Sequence, residues 1–395
     1  MRADPPSIAG GHPHRNRGHD VTATHPSPFI RKSQDESPLR LLAGPEAMER
    51  IRRDGLHEDL FDVVAGASGG AKWLGLTRLD QALFGRWFRS RTRPLHMVGS
   101  SIGTWRFACL SQPDPVAACK RFEDIYLDYA VEPPVTSAEL TAHCRQFLDV
   151  IFGTDGVAHM VDHPFMRQSI LAVRGRGPVR PGSRLGLGAG LVAAGLANSL
   201  NRRGVGLFFQ RTIIHDRRDP PPFDCSGDFP SQRVALTVGN AVAALLASSA
   251  VPFVFDGVAA LEGALPGLYL DGGILDYHLD LRFTVPGLVL YPHFSDRIVP
   301  GWFDKALRWR RAQAANLSRT LLICPSPAFT AGLPHGKIPD RGDFKRMPTA
   351  ARQRYWRQAV AETDRLADYW LEAVEKDRVP DLLAPLTPAG AGAGR

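Results

Sequence analysis

Short, nearly uninterrupted apolar runs that alternate with helical stretches predict an α/β fold: a central, mostly parallel sheet with helices on both faces. Runs of strand length fall at 61–65, 95–98, 207–214, 268–270, 287–291 and 320–324. They lack the polar alternation of a half-exposed sheet, which suits strands covered on both sides. Helical patterning occupies 76–88, 102–110, 240–250 and about 349–376. The last of these reads as one amphipathic helix, with Tyr355, Trp356, Val360, Leu366, Trp370, Leu371 and Val374 on its apolar side.

Composition supports a folded chain of this class. The 395 residues are 44% hydrophobic and 22% charged, enough to bury a sizeable core. With 38 Gly and 32 Pro, the chain falls below the roughly 25–30% of the two combined that marks low-complexity sequence. Disorder throughout, collagen and a coiled coil are excluded. Residues 1–40 are rich in Pro and His without apolar periodicity and read as a disordered tail. His12 and His14 lie in that tail, and an isolated pair there does not make a metal site. One α/β domain is expected over 41–380, followed by a flexible tail over 381–395.

The net charge of +8 is local. Between Leu171 and Arg218 nine arginines stand against the single acid Asp216, so the remainder of the chain sums to zero. This window lies in an expected insertion over about 165–232, which also holds the apolar run 185–200. Leu187, Leu191, Val192, Gly195, Leu196 and Leu200 recur there at helical spacing, with Arg180 and Arg184 before them and Arg202 and Arg203 after. An apolar stripe with basic ends suits a lid, or a helix lying at an anionic membrane surface; a core helix with snorkelling arginines is the alternative. The run is too short to span a bilayer. No nucleic acid is expected as a partner, because no recognition motif accompanies the arginines. Five scattered cysteines without a CxxC, and a polar N-terminus, point to the cytoplasm.

Chemistry concentrates in two Gly-rich turns, each following a strand and opening a helix. Gly66-Ala67-Ser68-Gly69-Gly70 and Gly99-Ser100-Ser101-Ile102-Gly103 both fit G-x-S-x-G, the turn that presents a nucleophilic serine. The first, with its paired glycines before Ala71 and Lys72, suits close backbone approach to an anion. The second, with only flanking glycines, suits display of a side chain. Ser101 is therefore read as nucleophile and the first loop as oxyanion hole. Nucleotide binding fits poorly: the first loop satisfies neither G-x-x-x-x-G-K-[ST] nor G-x-G-x-x-G.

A base is harder to find. His57, His96, His159, His163, His215, His278, His293 and His335 stand in no recognisable loop signature, and in the fragment from His57 to Asp62 the acid sits inside a strand candidate. His278 in the run DYHLD resembles a metal cluster, but a polar turn explains it better. Asp271 stands at the end of a strand before Gly272 and Gly273, where ligands bind in open α/β sheets; ordinary turn chemistry explains the same tripeptide.

Taken in order, Ser68-Gly69-Gly70-Ala71-Lys72, Gly99 to Gly103, the run LLASSAVPFVF (245–255) and Asp271-Gly272-Gly273 resemble the motifs of the patatin-like phospholipases, over a core of 59–291. The resemblance implies a three-layer sandwich and a serine lipid acyl hydrolase with a Ser101–Asp271 dyad and no cofactor or metal. It implies an oxyanion hole at Gly69, Gly70 and Ala71, with Lys72, Gly99, Gly103, Gly272 and Gly273 in support, acting on a lipid or other acyl ester. An acyltransferase of the same fold and a catalytically silent lipid-binding or scaffold protein are the alternatives. Two positions depart from the family pattern: Ser68 stands where the loop usually has Gly, and Trp73 replaces a small residue and is expected to reshape the mouth of the site.

Overall fold

The computed structural model describes residues 37–130 and 134–388. A ten-stranded mixed sheet, mostly parallel, forms its centre. The strands are β1 (Leu39–Ala43), β2 (Phe61–Gly66), β3 (Leu95–Ser100), β4 (Met166–Gly175), β5 (Phe209–His215), β6 (Ser231–Ala235), β7 (Tyr269–Asp271), β8 (Leu288–Pro292), β9 (Thr320–Pro325) and β10 (Leu383–Pro385). Their order is β10-β1-β9-β8-β2-β3-β4-β5-β6, with β7 paired to β4 off this path. Strands β8 and β9 are buried at every residue, as expected of strands covered on both faces. The expected α/β three-layer architecture is the observed one.

Helices flank the sheet: α1 (Ile102–Leu110), α2 (Pro115–Asp128), α3 (Arg184–Leu200), α4 (Ala241–Ser249), α5 (Thr349–Glu362) and α6 (Asp364–Glu375) are those that bear on the site. The expected single C-terminal helix is two. At the break, Thr363 is buried and its hydroxyl donates to the Val360 carbonyl at 2.6 Å, a bond that competes with the helical ladder. The apolar side expected of this segment is real: Trp356 and Trp370 are fully buried.

Three boundaries differ from the expectation. Leu39 and Arg40 already belong to β1, inside the stretch read as a tail; residues 1–36, with His12 and His14, lie outside the described residues. At the other end, Leu383–Pro385 is no tail but an edge strand parallel to β1. The expected insertion shrinks, because 166–175 and 209–215 are strands of the sheet, leaving 176–208 as the excursion.

Strand β4 organises the edge that carries Ser101 and Asp271. Along its first half it pairs in parallel with β3, up to Ser100 opposite Leu171. Along its second half the same side pairs antiparallel with β7, so Asp271 lies opposite Ala172. The C-terminal ends of β3 and β7 therefore meet head to head at adjacent residues of one strand. On the other side of β3, Gly66 of β2 pairs with Gly99. One row across the sheet thus gathers the first loop, the second turn and the aspartate.

Of the nine arginines in the basic window, Arg211 alone is buried. Arg211 makes a bidentate bond to Asp276 at 2.7 and 2.6 Å, both partners buried, and losing either partner would strand a charge at a cost of about 3–5 kcal/mol. Arg202 pairs with Asp228 and Arg218 with Asp216. Arg176, Arg180, Arg184, Arg203, Arg217 and Arg218 are exposed.

Candidate active site

Ser101 sits at the point where β3 turns into α1, with φ 54° and ψ −129°. That backbone is unfavourable for a residue with a side chain and marks a strained elbow. Sterics dictate the flanking residues. A Cβ on Gly103 would lie 2.1 Å from the Gly66 carbonyl oxygen, so only glycine lets the first turn of α1 pack against β2. A Cβ on Gly272 would meet the Leu171 carbonyl at 2.1 Å. Gly99, Gly103 and Gly272 therefore act by permitting close backbone packing and do not line the cavity.

Ser101 Oγ donates to Asp271 Oδ2 at 2.7 Å, and the Gly273 N–H donates to Asp271 Oδ1 at 2.7 Å. Both side chains are buried at the base of a cavity of about 460 Å³. Burial raises the Asp271 carboxyl above the usual aspartate range; the bonds from Ser101 and Gly273, and the charges of Arg341 and Lys305 across the cavity, oppose that rise.

The segment 245–255 holds both partners in place. The Ser101 N–H donates to Ser248 Oγ at 2.9 Å, and that hydroxyl donates to the Leu171 carbonyl at 2.6 Å. The Asp271 N–H donates to the Ala250 carbonyl at 3.0 Å. Trp105 of α1 reaches the neighbouring Ser249 Oγ at 3.0 Å. The end of α4 is thus a brace between elbow and aspartate. Sequence reading noted its motif without assigning Ser248 a task.

The first loop faces the same cavity through Ser68, Gly69, Gly70 and Lys72. Gly70 has φ +56° and opens a 3₁₀ helix (Gly70–Gly75), whose leading N–H groups lack intrahelical partners. Ala71 is fully buried and absent from the cavity wall. The left-handed conformation falls on Gly70, and Ser68 does not adopt it. The Ser68 N–H donates to the Tyr277 carbonyl at 2.9 Å and its hydroxyl to Ser100 Oγ at 3.1 Å, so a serine is accommodated there without strain. Trp73 does not reach the mouth. It is buried in the core, stacked on Phe122 at 4.5 Å, because the 3₁₀ turn directs it inward.

Of the histidines among the described residues, His278 alone lines the cavity. It is buried beside His293, and burial holds it well below the usual imidazole range. Its Nδ1 accepts from the Val299 N–H, which keeps it in the wall, while the hydroxyl of Ser101 bonds Asp271. Among the described residues no cluster of His, Cys, Asp and Glu could hold a metal; Asp276 of the DYHLD run pairs with Arg211 and Asp280 receives Gln313 and Asn316. Sequence reading missed Tyr277, Arg297, Lys305 and Arg341 on the cavity wall, which arrive by tertiary folding and carry no local signal.

A parallel α/β sheet with a strained serine elbow and a carboxylate facing it defines a class of hydrolase-like folds. The patatin-like phospholipase family model matches residues 81–278, half of the chain, and the chain belongs to that family of lipid acyl hydrolases. The match takes in the elbow, the 245–255 segment and Asp271, and begins after the first loop. No curated protein matches the chain.

The buried carboxyl makes a measurable prediction. In a ¹³C NMR titration, Asp271 should lose its proton above the usual aspartate range, and Ser101→Ala should move the midpoint further up, because the serine hydroxyl stabilises the charged form. An ordinary midpoint that ignores the substitution would mean the two side chains do not interact in solution.

Proposed function

We propose that this protein is a serine lipid acyl hydrolase of the phospholipase A or esterase type, working through a Ser101–Asp271 dyad. The observation that carries this reading is the 2.7 Å hydrogen bond from Ser101 Oγ to Asp271 Oδ2 on the floor of the cavity. In the first half-reaction Ser101 Oγ attacks the ester carbonyl carbon while Asp271 takes the hydroxyl proton. The oxyanion is stabilised by backbone N–H groups of the first loop, Gly69 and Gly70 foremost with Ala71 next in the chain. Collapse of the tetrahedral adduct breaks the ester C–O bond, and Asp271 returns its proton to the departing alcohol. Water then gives a proton to Asp271 and attacks the acyl-enzyme; collapse of this second adduct breaks the bond to Ser101 Oγ, Asp271 returns the proton to Oγ, and the carboxylic acid leaves. Ser248 has a positioning role, holding the elbow N–H so that Oγ keeps its direction toward Asp271.

The approach to the cavity supports a lipid substrate delivered from a membrane surface. Helix α3 turns its small residues inward: Gly190 packs on Val179, and Asn198 bonds Asp304 at 2.8 Å. The large apolar residues therefore face outward, Leu185 and Leu200 each 90% exposed and Val192 and Leu196 each 66%. Of the expected stripe only Leu187 is buried. Gly188 abuts Phe253, next to Pro252 of the cavity wall, and Gly195 abuts Phe303, next to Trp302 of the wall. The apolar face thus borders the cavity mouth, with Arg180, Arg184 and Arg203 exposed beside it, an arrangement suited to an anionic interface. Among the described residues no helix is long and apolar enough to cross a membrane. All five cysteines are free, in keeping with a cytoplasmic site of action.

Two tests follow. Ser101→Ala and Asp271→Asn should each lower kcat on p-nitrophenyl acyl esters by about 10³-fold or more with folding retained, and the wild-type rate should fall with acid at a pH above the usual aspartate range, where Asp271 gains its proton. A folded Ser101→Ala variant with full activity would remove the dyad. In flotation assays, the double substitution Leu196→Glu and Leu200→Glu should weaken binding to phosphatidylserine vesicles by about 10-fold or more, since each exposed leucine contributes on the order of 1.5–3 kcal/mol when buried. Unchanged flotation would exclude α3 as the contact.

A further inference from the structure

The serine elbow and the first loop reach the cavity from two different strands, and the proposed chemistry needs them at a fixed separation. Ser101 opens α1, whose first turn packs through Gly103 on the Gly66 carbonyl of β2. The first loop runs into the 3₁₀ helix Gly70–Gly75 and then, through Leu76, into the helix Thr77–Ala82. One side chain from each path meets the other away from the cavity wall. Arg106 of α1 donates from Nε to Asp80 Oδ2 and from Nη2 to Asp80 Oδ1, both at 2.7 Å. Each side chain is only 3% exposed, and neither lines the cavity.

Stability alone does not account for this pair. The attraction between two buried charges offsets little more than the cost of withdrawing them from water, and apolar side chains of similar volume hold a core equally well. What the pair adds is direction, because the planar guanidinium fork meets a carboxylate in one orientation. That orientation fixes α1, little more than a turn beyond Ser101, against the continuation of the first loop. The helix around Asp80 has a second anchor on α2. Thr77 Oγ1 donates to Glu123 Oε2 and Arg78 Nη2 to Glu123 Oε1, both at 3.0 Å, while Trp73 stacks on the neighbouring Phe122. With α2 as a second support, the Arg106–Asp80 pair is the tie that the elbow helix itself makes.

We propose that Arg106 and Asp80 are positioning residues that hold the Ser101 elbow in register with the N–H groups of Gly69 and Gly70. This assignment rests on the acyl hydrolase reading and adds to it two residues that touch neither substrate nor reacting atoms. Oxyanion donors act only at hydrogen-bond distance from the oxygen that becomes charged, and a displacement of about 1 Å costs on the order of 100-fold in rate. The bond between Ser101 and Asp271 is set elsewhere, by β4 and by Ser248. Loosening the pair therefore disturbs the oxyanion donors and leaves the Ser101–Asp271 bond in place.

Two variants separate positioning from packing. Asp80→Leu with Arg106→Met removes both charges and keeps the volume, so its urea midpoint should stay near that of the wild type. Arg106→Lys keeps the charge and loses the fork, and it decides the matter if the double variant does not fold. On p-nitrophenyl butyrate each should lower kcat by about 10–100-fold with KM within about threefold, the signature of an interaction felt in the transition state. The ¹³C titration midpoint of Asp271 should not move. In ¹⁵N-glycine spectra recorded without substrate, the Gly69 and Gly70 amide signals should shift while that of Gly273 stays in place. A folded variant with wild-type kcat, or with unmoved Gly69 and Gly70 signals, would overturn the proposal and reduce the pair to a core contact. A displaced Asp271 midpoint or Gly273 signal would also overturn it, by assigning the pair to the aspartate. A wild type inert on every ester, with Gly69 and Gly70 signals that still move in the variants, would remove the hydrolase and uphold the coupling.

Discussion

The hydrogen bond between Ser101 and Asp271 depends on a single strand. Because β4 pairs first with β3 and then, on the same side, with β7, two strands running in opposite senses end at adjacent residues, Leu171 and Ala172. Elbow and aspartate are thereby brought face to face although 170 residues separate them. The Ser248 hydroxyl closes the arrangement by joining the Ser101 N–H to the Leu171 carbonyl. Displacing the register of β4 by one residue would turn its side chains to the opposite face and separate the pair.

The motif glycines were legible because the constraint on them is local. A strand that must turn at once into a helix packed on its neighbour has no room for a side chain at Gly103, and this is visible as a spacing. Strands β2, β3, β5, β7, β8 and β9 were legible for a similar reason, as short, nearly continuous apolar runs. Strand β4 was not, and it was absorbed into an expected insertion. Arg167, Gln168 and Ser169 interrupt its apolar pattern, although Gln168 and Ser169 are buried in the folded protein. The edge strands β6 and β10 escaped because short edge strands need no sustained apolar run, and β1, second from the edge, was hidden by its place in the stretch read as a tail. Trp73 shows the converse error: a bulky residue beside the loop was expected at the mouth, while the turn geometry buries it against Phe122.

Electrostatics also govern the aspartate. Burial alone would raise the Asp271 carboxyl and weaken it as an anion, and Arg341 and Lys305 restrain that rise from across the space. None of them was legible as a group, because Lys72, Arg297, Lys305 and Arg341 stand on four separate segments, two of them short 3₁₀ helices, whose convergence is a consequence of the fold. The basic window that dominates the sequence is a poorer guide. Arg211 is structural, Arg202 and Arg218 pair with acids, and none of the nine arginines lines the cavity.

The central claim is that Ser101 carries the acyl group, and covalent trapping tests it most directly. The protein would be quenched in acid during turnover of a slow p-nitrophenyl ester and its peptides mapped by mass. An acyl adduct on the peptide that holds Ser101, absent in Asp271→Asn, is the predicted result. An adduct on Ser68 instead, or an active enzyme whose Ser101 is never modified, would contradict it.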